Sequence, residues 1–278
     1  MTDALLVLIF TAISCSLLGV FMVLRKLSMV TDAISHTVLL GIVLVFFFVN
    51  DLRSPLLIFG ATVIGVLTVI LIESLGNLNT IKYEDSIGVI YPVLFSIAVI
   101  LISKYFRGVH LDTDIVLVGE VIFSSLEHVE ILGFNISKSV LQSGITSIVV
   151  LTYIVLLFKE LKATTFDRDY AKLIGINTLF IFYSLMTMSS FVSVISFEAV
   201  GGMLVISFFI APAATALIIT KDLKYTLLYT TIIATINCII GYIFSLYLNA
   251  SMSGMCAFVN MLTYIVFLLY NKYRNKNN

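Results

Sequence analysis

Long apolar runs, each about the length of a membrane-crossing helix, alternate along the chain with short clusters of polar and charged residues. A helix needs roughly 20 mostly apolar residues to cross about 30 Å of hydrocarbon. Breaking the sequence at these clusters gives candidate segments near 4–23, 31–49, 56–75, 87–104, 139–158, 178–196, 200–219, 225–248 and 254–270. The pattern predicts an all-α polytopic membrane protein, a bundle of about eight or nine transmembrane helices.

Composition agrees with the segment pattern. Of the 278 residues, 60% are hydrophobic and 12% are charged, whereas soluble domains carry about 25% charged residues. The formal net charge is zero and no block of like charge occurs, so a nucleic-acid partner is not expected. We expect residues 1–278 to form a single transmembrane domain in a lipid bilayer, with Cys15, Cys238 and Cys256 as buried, unreactive thiols.

The 16 Lys and Arg residues predict the orientation, because basic connections stay on the cytoplasmic side of a membrane. Most of them fall in alternate connections: Arg25, Lys26, Lys82, Lys159, Lys162, Arg168, Lys172, Lys221, Lys224, Lys272, Arg274 and Lys276. The other connections hold Arg53, Lys104, Arg107 and Lys138. The bias places the N-terminus outside, the tail 271–278 in the cytoplasm, and the stretch 105–138 outside or partly in the interface.

Ionisable residues stand at the beginning of the second apolar segment. Asp32 and His36 are four residues apart, and that spacing places both on one face of a helix, with Ser35 beside them. Such residues are costly in hydrocarbon and mark an ion path, a proton relay or a buried pair. One interpretation is an Asp–His hydrogen bond that only fixes helix packing.

The functional interpretation is a transient site for a divalent cation. Carboxylate oxygen and imidazole nitrogen suit manganese, iron and zinc, and the absence of thiolates argues against a soft-metal cage. Two ligands per chain would bind loosely, which a conduit requires because the ion must leave again. In a homodimer, two such pairs could face each other across one axis.

A second informative stretch is the connection 159–176, which has the pattern of a short surface helix. Thr165 or Asp167 could cap its start, and Gly175 can end it. The residues between them include an apolar side. A capped amphipathic helix at the cytoplasmic surface is suited to docking in a groove of another protein, but the pattern fits a helix lying on lipid headgroups equally well.

The other acidic and histidine residues give weaker signals. Glu73 at an inner helix end and Glu198 at an outer turn are expected to be interfacial rather than ligands. An outer group could contact a partner or collect cations, although solvated loop positions are the simpler account: His110, Asp112, Asp114, Glu120, Glu127, His128 and Glu130. The sequence contains no phosphate-binding loop, no H-E-x-x-H and no G-x-S-x-G, so any use of ATP is expected to belong to a partner.

Together these stretches resemble the membrane permease subunit of the ATP-binding-cassette importers for manganese, zinc and iron. The likeness begins with Val23–Ser28 followed by Asp32–His36. It continues through three further motifs in the same order as in that family: Tyr83–Gly88, the loop from Phe166 to Gly175, and Ala199–Val205 running into Ile210–Thr215.

The resemblance implies a homodimer of permeases in a bacterial plasma (inner) membrane, standing on two cytoplasmic ATP-binding subunits. An extracellular or periplasmic metal-binding solute-binding protein would deliver the ion. Asp32 and His36 would touch the metal in the translocation path, and no cofactor would be permanently bound. The stretch 159–176 would be the ATPase-coupling segment, represented by Thr165, Phe166, Asp167, Tyr170, Ala171 and Gly175.

Three functions therefore compete. The first is an importer permease that works by alternating access and is not itself an enzyme. The second is a secondary transporter in which Asp32 and His36 relay protons. The third is an intramembrane enzyme or scaffold without a transport role.

Overall fold

The structure, a computed structural model, describes residues 2–51, 54–77, 82–105, 128–131 and 134–276. The described helices are α1 Thr2–Leu24, α2 Ser28–Val49, α3 Leu56–Gly76, α4 Tyr83–Tyr105, α5 Lys138–Leu156, α6 Phe158–Phe166, α7 Arg168–Leu173, α8 Thr178–Val200, α9 Gly202–Ile219, α10 Leu223–Leu248 and α11 Met252–Lys276. Two short antiparallel strands, β1 His128–Ile131 and β2 Phe134–Ser137, precede α5. The outer residues His110, Asp112, Asp114, Glu120 and Glu127 lie outside the described part.

Nine of the described helices are long and apolar enough to cross a membrane, namely all except α6 and α7. They coincide with the nine apolar segments of the sequence, so the predicted all-helical polytopic fold is confirmed. Two helices begin three or four residues earlier than predicted, α2 at Ser28 and α4 at Tyr83. Polar residues in their first turns lowered the apolar signal without preventing helix formation.

Helix α1 forms the centre of the bundle and is the most buried of these nine helices. It contacts α5, α8, α9 and α10. On one side α2, α3 and α4 pack on one another, and α8 joins this group to α1; on the other side α9, α10 and α11 pack together. The predicted burial of Cys15, Cys238 and Cys256 is confirmed.

Close approach of helix backbones explains two glycines in the core. A Cβ at Gly19 on α1 would overlap the backbone carbonyl of Phe209 on α9, and one at Gly41 on α2 would overlap the backbone of Ala61 on α3. Small residues at such crossings allow the dense packing that holds helices together in lipid. The α2–α3 contact also includes a hydrogen bond of 2.8 Å from the Thr68 hydroxyl to the Thr37 hydroxyl.

Candidate metal-binding pair and coupling segment

Asp32 and His36 face each other on the first turns of α2. His36 Nε2 lies 3.5 Å from Asp32 Oδ1, and the side chains of His36 and Asp32 are 29% and 34% exposed. This separation is longer than that of a strong hydrogen bond, so the two groups are near each other without being tightly joined. The carboxylate of Asp32 can therefore direct an oxygen, and the imidazole of His36 a nitrogen, toward one cation.

Ser35 does not extend this pair. Its side chain is buried, and its hydroxyl donates a hydrogen bond to the backbone carbonyl of Asp32. A hydroxyl has one hydrogen, so this bond occupies the donor within the helix backbone. The serine that lies beside Asp32 and His36 in sequence therefore supports the helix instead of adding a free donor to the site.

Two aromatic residues of α4 hold the imidazole of His36. The ring of Tyr91 stacks on His36 with centroids 5.4 Å apart, and Phe95 meets it edge-on at 5.9 Å. These contacts restrict the rotation of the imidazole about its side-chain bonds. Sequence reasoning missed both residues, because nothing in an apolar run shows which aromatic ring faces a given helix.

The pair offers few protein ligands within one chain. Across the residues that the structure describes, no group of three or more His, Cys, Asp and Glu side chains comes together. Transition metals commonly take four to six ligands. A cation at Asp32 and His36 therefore needs water, backbone oxygens or residues of another chain to complete its shell.

The predicted surface helix of 159–176 is two short helices, α6 and α7, separated by Asp167. Asp167 has an extended backbone with φ −148° and caps α7, because its side chain accepts hydrogen bonds from the backbone amides of Asp169 and Tyr170. Of the two predicted caps, Asp167 fills the role. Gly175 adopts φ +84°, and its amide donates to the carbonyl of Lys172, so the chain turns away at the predicted end.

This coupling segment, residues 159–176, presents an apolar surface to its surroundings. Phe166, Tyr170, Leu173 and Ile174 are more than half exposed, whereas Ala171 is fully buried. The segment joins α5 to α8 and contains Lys159, Lys162, Arg168 and Lys172. Apolar side chains among basic residues suit contact with another protein or with headgroups.

Thr165 makes a contact that sequence reasoning did not foresee. Its hydroxyl accepts a hydrogen bond of 3.0 Å from Nε of Arg25, and the hydroxyl of Thr164 accepts one of 2.8 Å from Nη2 of the same guanidinium. Arg25 lies in the turn between α1 and α2. The coupling segment is thus tied directly to the turn that begins the helix carrying Asp32 and His36.

The guanidinium of Arg25 is partly withdrawn from water. Burial lowers the pKa of Arg25 to about 10, the nearby phenol of Tyr153 opposes that change, and the positive charge of Arg168 adds to it. Arg25 still carries its charge at neutral pH. The two threonine hydroxyls supply part of the hydrogen bonding that water would otherwise give.

Glu73 and Glu198 occupy different surroundings. Glu73 on α3 is half-buried and accepts a hydrogen bond of 2.7 Å from the phenol of Tyr183 on α8. Glu198 on α8 is exposed. Neither carboxylate forms part of a group of three or more metal-ligand side chains among the described residues.

The sequence pattern of one transporter family, the ABC 3 transport family, matches residues 1–271. The match extends over nearly the whole chain, including every helix that contributes to the pair and to the coupling segment. The chain belongs to the ABC 3 transport family.

Curated relatives align with nearly the whole chain as well. The manganese transport system membrane protein MntD of Bacillus subtilis strain 168 is 36% identical over 265 residues, covering 95% of this chain and 89% of MntD. The zinc transport system membrane protein TroD of Treponema pallidum strain Nichols is 36% identical over 272 residues, with 98% and 74% covered. The chelated iron transport system membrane protein YfeD of Yersinia pestis is 29% identical over 271 residues, with 98% and 85% covered.

Solved structures share the architecture. PsaBC from Streptococcus pneumoniae, determined in complex with Fab, superposes with a TM-score of 0.82 at 25% identity, covering 100% of this chain and 95% of that chain. An inward-facing metal-chelate-type ABC transporter gives a TM-score of 0.69 at 13% identity, with 97% and 85% covered. The second likeness concerns the fold alone.

These findings confirm the predicted family and identify a multi-pass membrane permease subunit of the kind found in metal ABC transporters. They do not favour the alternative of a proton-coupled secondary transporter. Four points stay predictions. They are the single-domain assignment, the orientation of the termini, the metal role of Asp32 and His36, and the ATPase-coupling role of the six residues named above.

Proposed function

We propose that this chain is the permease subunit of an ATP-driven importer that moves manganese, zinc or iron ions from an external solute-binding protein to the cytoplasm. Two copies would stand in a bacterial plasma membrane on two ATP-binding subunits. The observation that carries the proposal is the Asp32–His36 pair, a partly exposed carboxylate and imidazole at 3.5 Å inside a helix otherwise suited to lipid. A transported cation compensates the cost of keeping such groups there.

The donor set fits a transported ion better than a resident one. One oxygen ligand and one nitrogen ligand per chain suit manganese, zinc and iron but leave most of the shell open. Two copies of the pair across a dimer axis would provide four ligands. An ion held this loosely can be received from outside and released inside when the bundle opens to each side in turn.

The coupling segment supports an ATPase partner. It combines exposed apolar side chains at Phe166 and Tyr170 with a well-defined cap at Asp167 and a turn at Gly175. A short rigid helix bearing apolar anchors can fill a groove of another subunit. The contact of this segment with Arg25 provides a path from that subunit into the membrane domain.

Reconstitution into liposomes tests the proposal. The permease alone, the permease with its ATPase, and the permease with ATPase and solute-binding protein would each be supplied with Mn²⁺, Zn²⁺ or Fe²⁺. We expect uptake with the complete set and ATP, and none with the permease alone. Uptake by the permease alone under a pH gradient would instead establish a proton-coupled carrier and overturn the proposal.

Comparing the three metals in the complete assembly identifies the substrate. The transported ion should stimulate ATP hydrolysis as well as accumulate in the vesicles. Hydrolysis that no metal stimulates, together with absent uptake, would also contradict an importer.

A further inference from the structure

Arg25 occupies a turn that is rigid at both ends. Helix α1 ends at Leu24 and α2 begins at Ser28. The amides of Lys26 and Leu27 donate to the carbonyls of Val23 and Met22 at 3.0 and 2.8 Å, and Lys26 adopts φ 60°. These bonds tie the turn to the last residues of α1, and the same turn leads directly into α2.

Asp32 lies about one helical turn after α2 begins at Ser28. The hydrogen bond from the amide of Val30 to the carbonyl of Leu27 carries the helix directly out of the turn. An α-helix rises about 1.5 Å per residue and bends little over so short a distance. The turn and the Asp32–His36 pair therefore move as one piece.

Thr164 and Thr165 of α6 are oriented as hydrogen-bond acceptors toward Arg25. The Thr164 hydroxyl donates to the carbonyl of Glu160 at 2.7 Å, and the Thr165 hydroxyl donates to the carbonyl of Leu161 at 2.6 Å. With its single hydrogen committed, each hydroxyl has only lone pairs left for a neighbour. A guanidinium, which only donates, complements two such acceptors.

The planar shape of the guanidinium suits this arrangement. Nε and Nη2 donate to two adjacent threonines at 3.0 and 2.8 Å, so the side chain is fixed in direction as well as in distance. Hydrogen bonds from a charged donor are stronger than those between neutral groups. This Arg25–threonine link joins residues 139 and 140 positions apart in the sequence.

We propose that Arg25 is a positioning residue that transmits movement of the coupling segment to the Asp32–His36 pair through its link to Thr164 and Thr165. The inference rests on the proposed function and adds to it a mechanical connection between the coupling segment and the Asp32–His36 pair. When an ATPase shifts α6, the link pulls the α1–α2 turn and with it the first turns of α2. Loss of the link uncouples ATP hydrolysis from metal movement and leaves both the ATPase docking surface and the Asp32–His36 pair in place.

Arg25→Gln and the double variant Thr164→Val, Thr165→Val break the link from opposite ends. Both would be assembled with ATPase and solute-binding protein in liposomes, and metal transported per ATP hydrolysed would be measured. We expect this ratio to fall about tenfold in both, within the usual range of coupling between sites, while the complexes still hydrolyse ATP and elute intact on size exclusion.

Two controls separate the link from general packing. Thr164→Ser, Thr165→Ser keeps both hydroxyls and should keep the wild-type ratio, although it removes two methyl groups. Lys26→Gln removes a neighbouring positive charge from an exposed side chain and should also leave the ratio unchanged. A similar loss in the serine variant would show that methyl packing matters instead of the hydrogen bonds, and would overturn the proposal.

The outcomes distinguish this inference from the proposed function. A wild-type ratio in either link-breaking variant overturns the role of Arg25 and leaves the importer standing. Absent ATP-dependent uptake by the wild-type assembly overturns both. If Arg25→Gln fails to assemble, the valine and serine variants decide by themselves, since the valine variant removes each hydroxyl and keeps the branched shape, whereas the serine variant keeps each hydroxyl and removes each methyl group.

Discussion

The carboxylate of Asp32 and the imidazole of His36 can be tested with changes that preserve size. Asp32→Asn removes the charge and keeps the shape, and His36→Gln removes the imidazole nitrogen. Because each deletes one of two ligands that a chain can offer, we expect metal uptake by the reconstituted assembly to fall at least about tenfold, the equivalent of 1.4 kcal/mol of lost binding. Assembly with the ATPase should persist.

Ser35→Ala is the matched control for these variants. The Ser35 hydroxyl already donates to the backbone carbonyl of Asp32, so its removal should leave uptake near the wild-type rate. Normal uptake in both Asp32→Asn and His36→Gln would remove the pair from the ion path and leave it a packing feature of α2.

Single residues also show how far sequence reasoning reaches. The spacing of Asp32 and His36 was sufficient to predict their common face, because four residues make about one helical turn. Tyr91 and Phe95 could not be assigned to His36, since they lie on another helix among many apolar residues. Arg25 was visible as a basic connection residue and as part of a family motif. Its threonine partners could not be predicted, because the packing of α1, α5 and α6 brings them to it.

At the scale of elements, we predict that an ATPase docks on the coupling segment. Phe166 and Tyr170 are 58% and 56% exposed, and large aromatic anchors dominate binding energy at protein interfaces. Phe166→Ala and Tyr170→Ala should each weaken ATPase association about thirtyfold, the equivalent of about 2 kcal/mol. Association would be measured by pull-down of purified ATPase onto the permease in detergent.

Tyr247→Ala serves as the control for this docking surface. Tyr247 is 82% exposed near the far end of α10, where predicted orientation places it on the external side. Its loss should leave association unchanged. Equal binding by wild type, Phe166→Ala and Tyr170→Ala would assign the segment to the lipid surface, the alternative that its amphipathic pattern leaves open.

Helix existence was more predictable than helix ends. Apolar length alone gave all nine spans, because hydrocarbon imposes a minimum length on each of them. The ends were shifted where polar residues belong to a helix, as Ser28 and Asp32 do on α2. Asp167 was predicted as a helix cap, and it caps α7, but the polar stretch before it gave no sign of the separate helix α6.

At the scale of the whole molecule, direct contact places the coupling segment and the α1–α2 turn on the same face of the bundle. Arg25 reaches Thr164 and Thr165 across that face, and the basic-residue pattern predicts that both connections are cytoplasmic. The nine candidate spans within the described ranges, an odd number, also predict that the two termini lie on opposite sides. The contact geometry and the charge bias thus both predict that the coupling segment and the α1–α2 turn lie on one side of the membrane. Neither the fold nor the family likeness shows whether that side is the cytoplasmic one.

Cysteine labelling decides that sidedness. Asp51 follows α2 and Lys221 lies between α9 and α10, and both are exposed. In intact cells, a membrane-impermeant maleimide should label Asp51→Cys and should label Lys221→Cys only after permeabilisation. The wild-type chain provides the background, because Cys15, Cys238 and Cys256 are buried. The reverse pattern would turn the bundle over, place the coupling segment outside the cell, and so remove any route by which a cytoplasmic ATPase could act on Arg25.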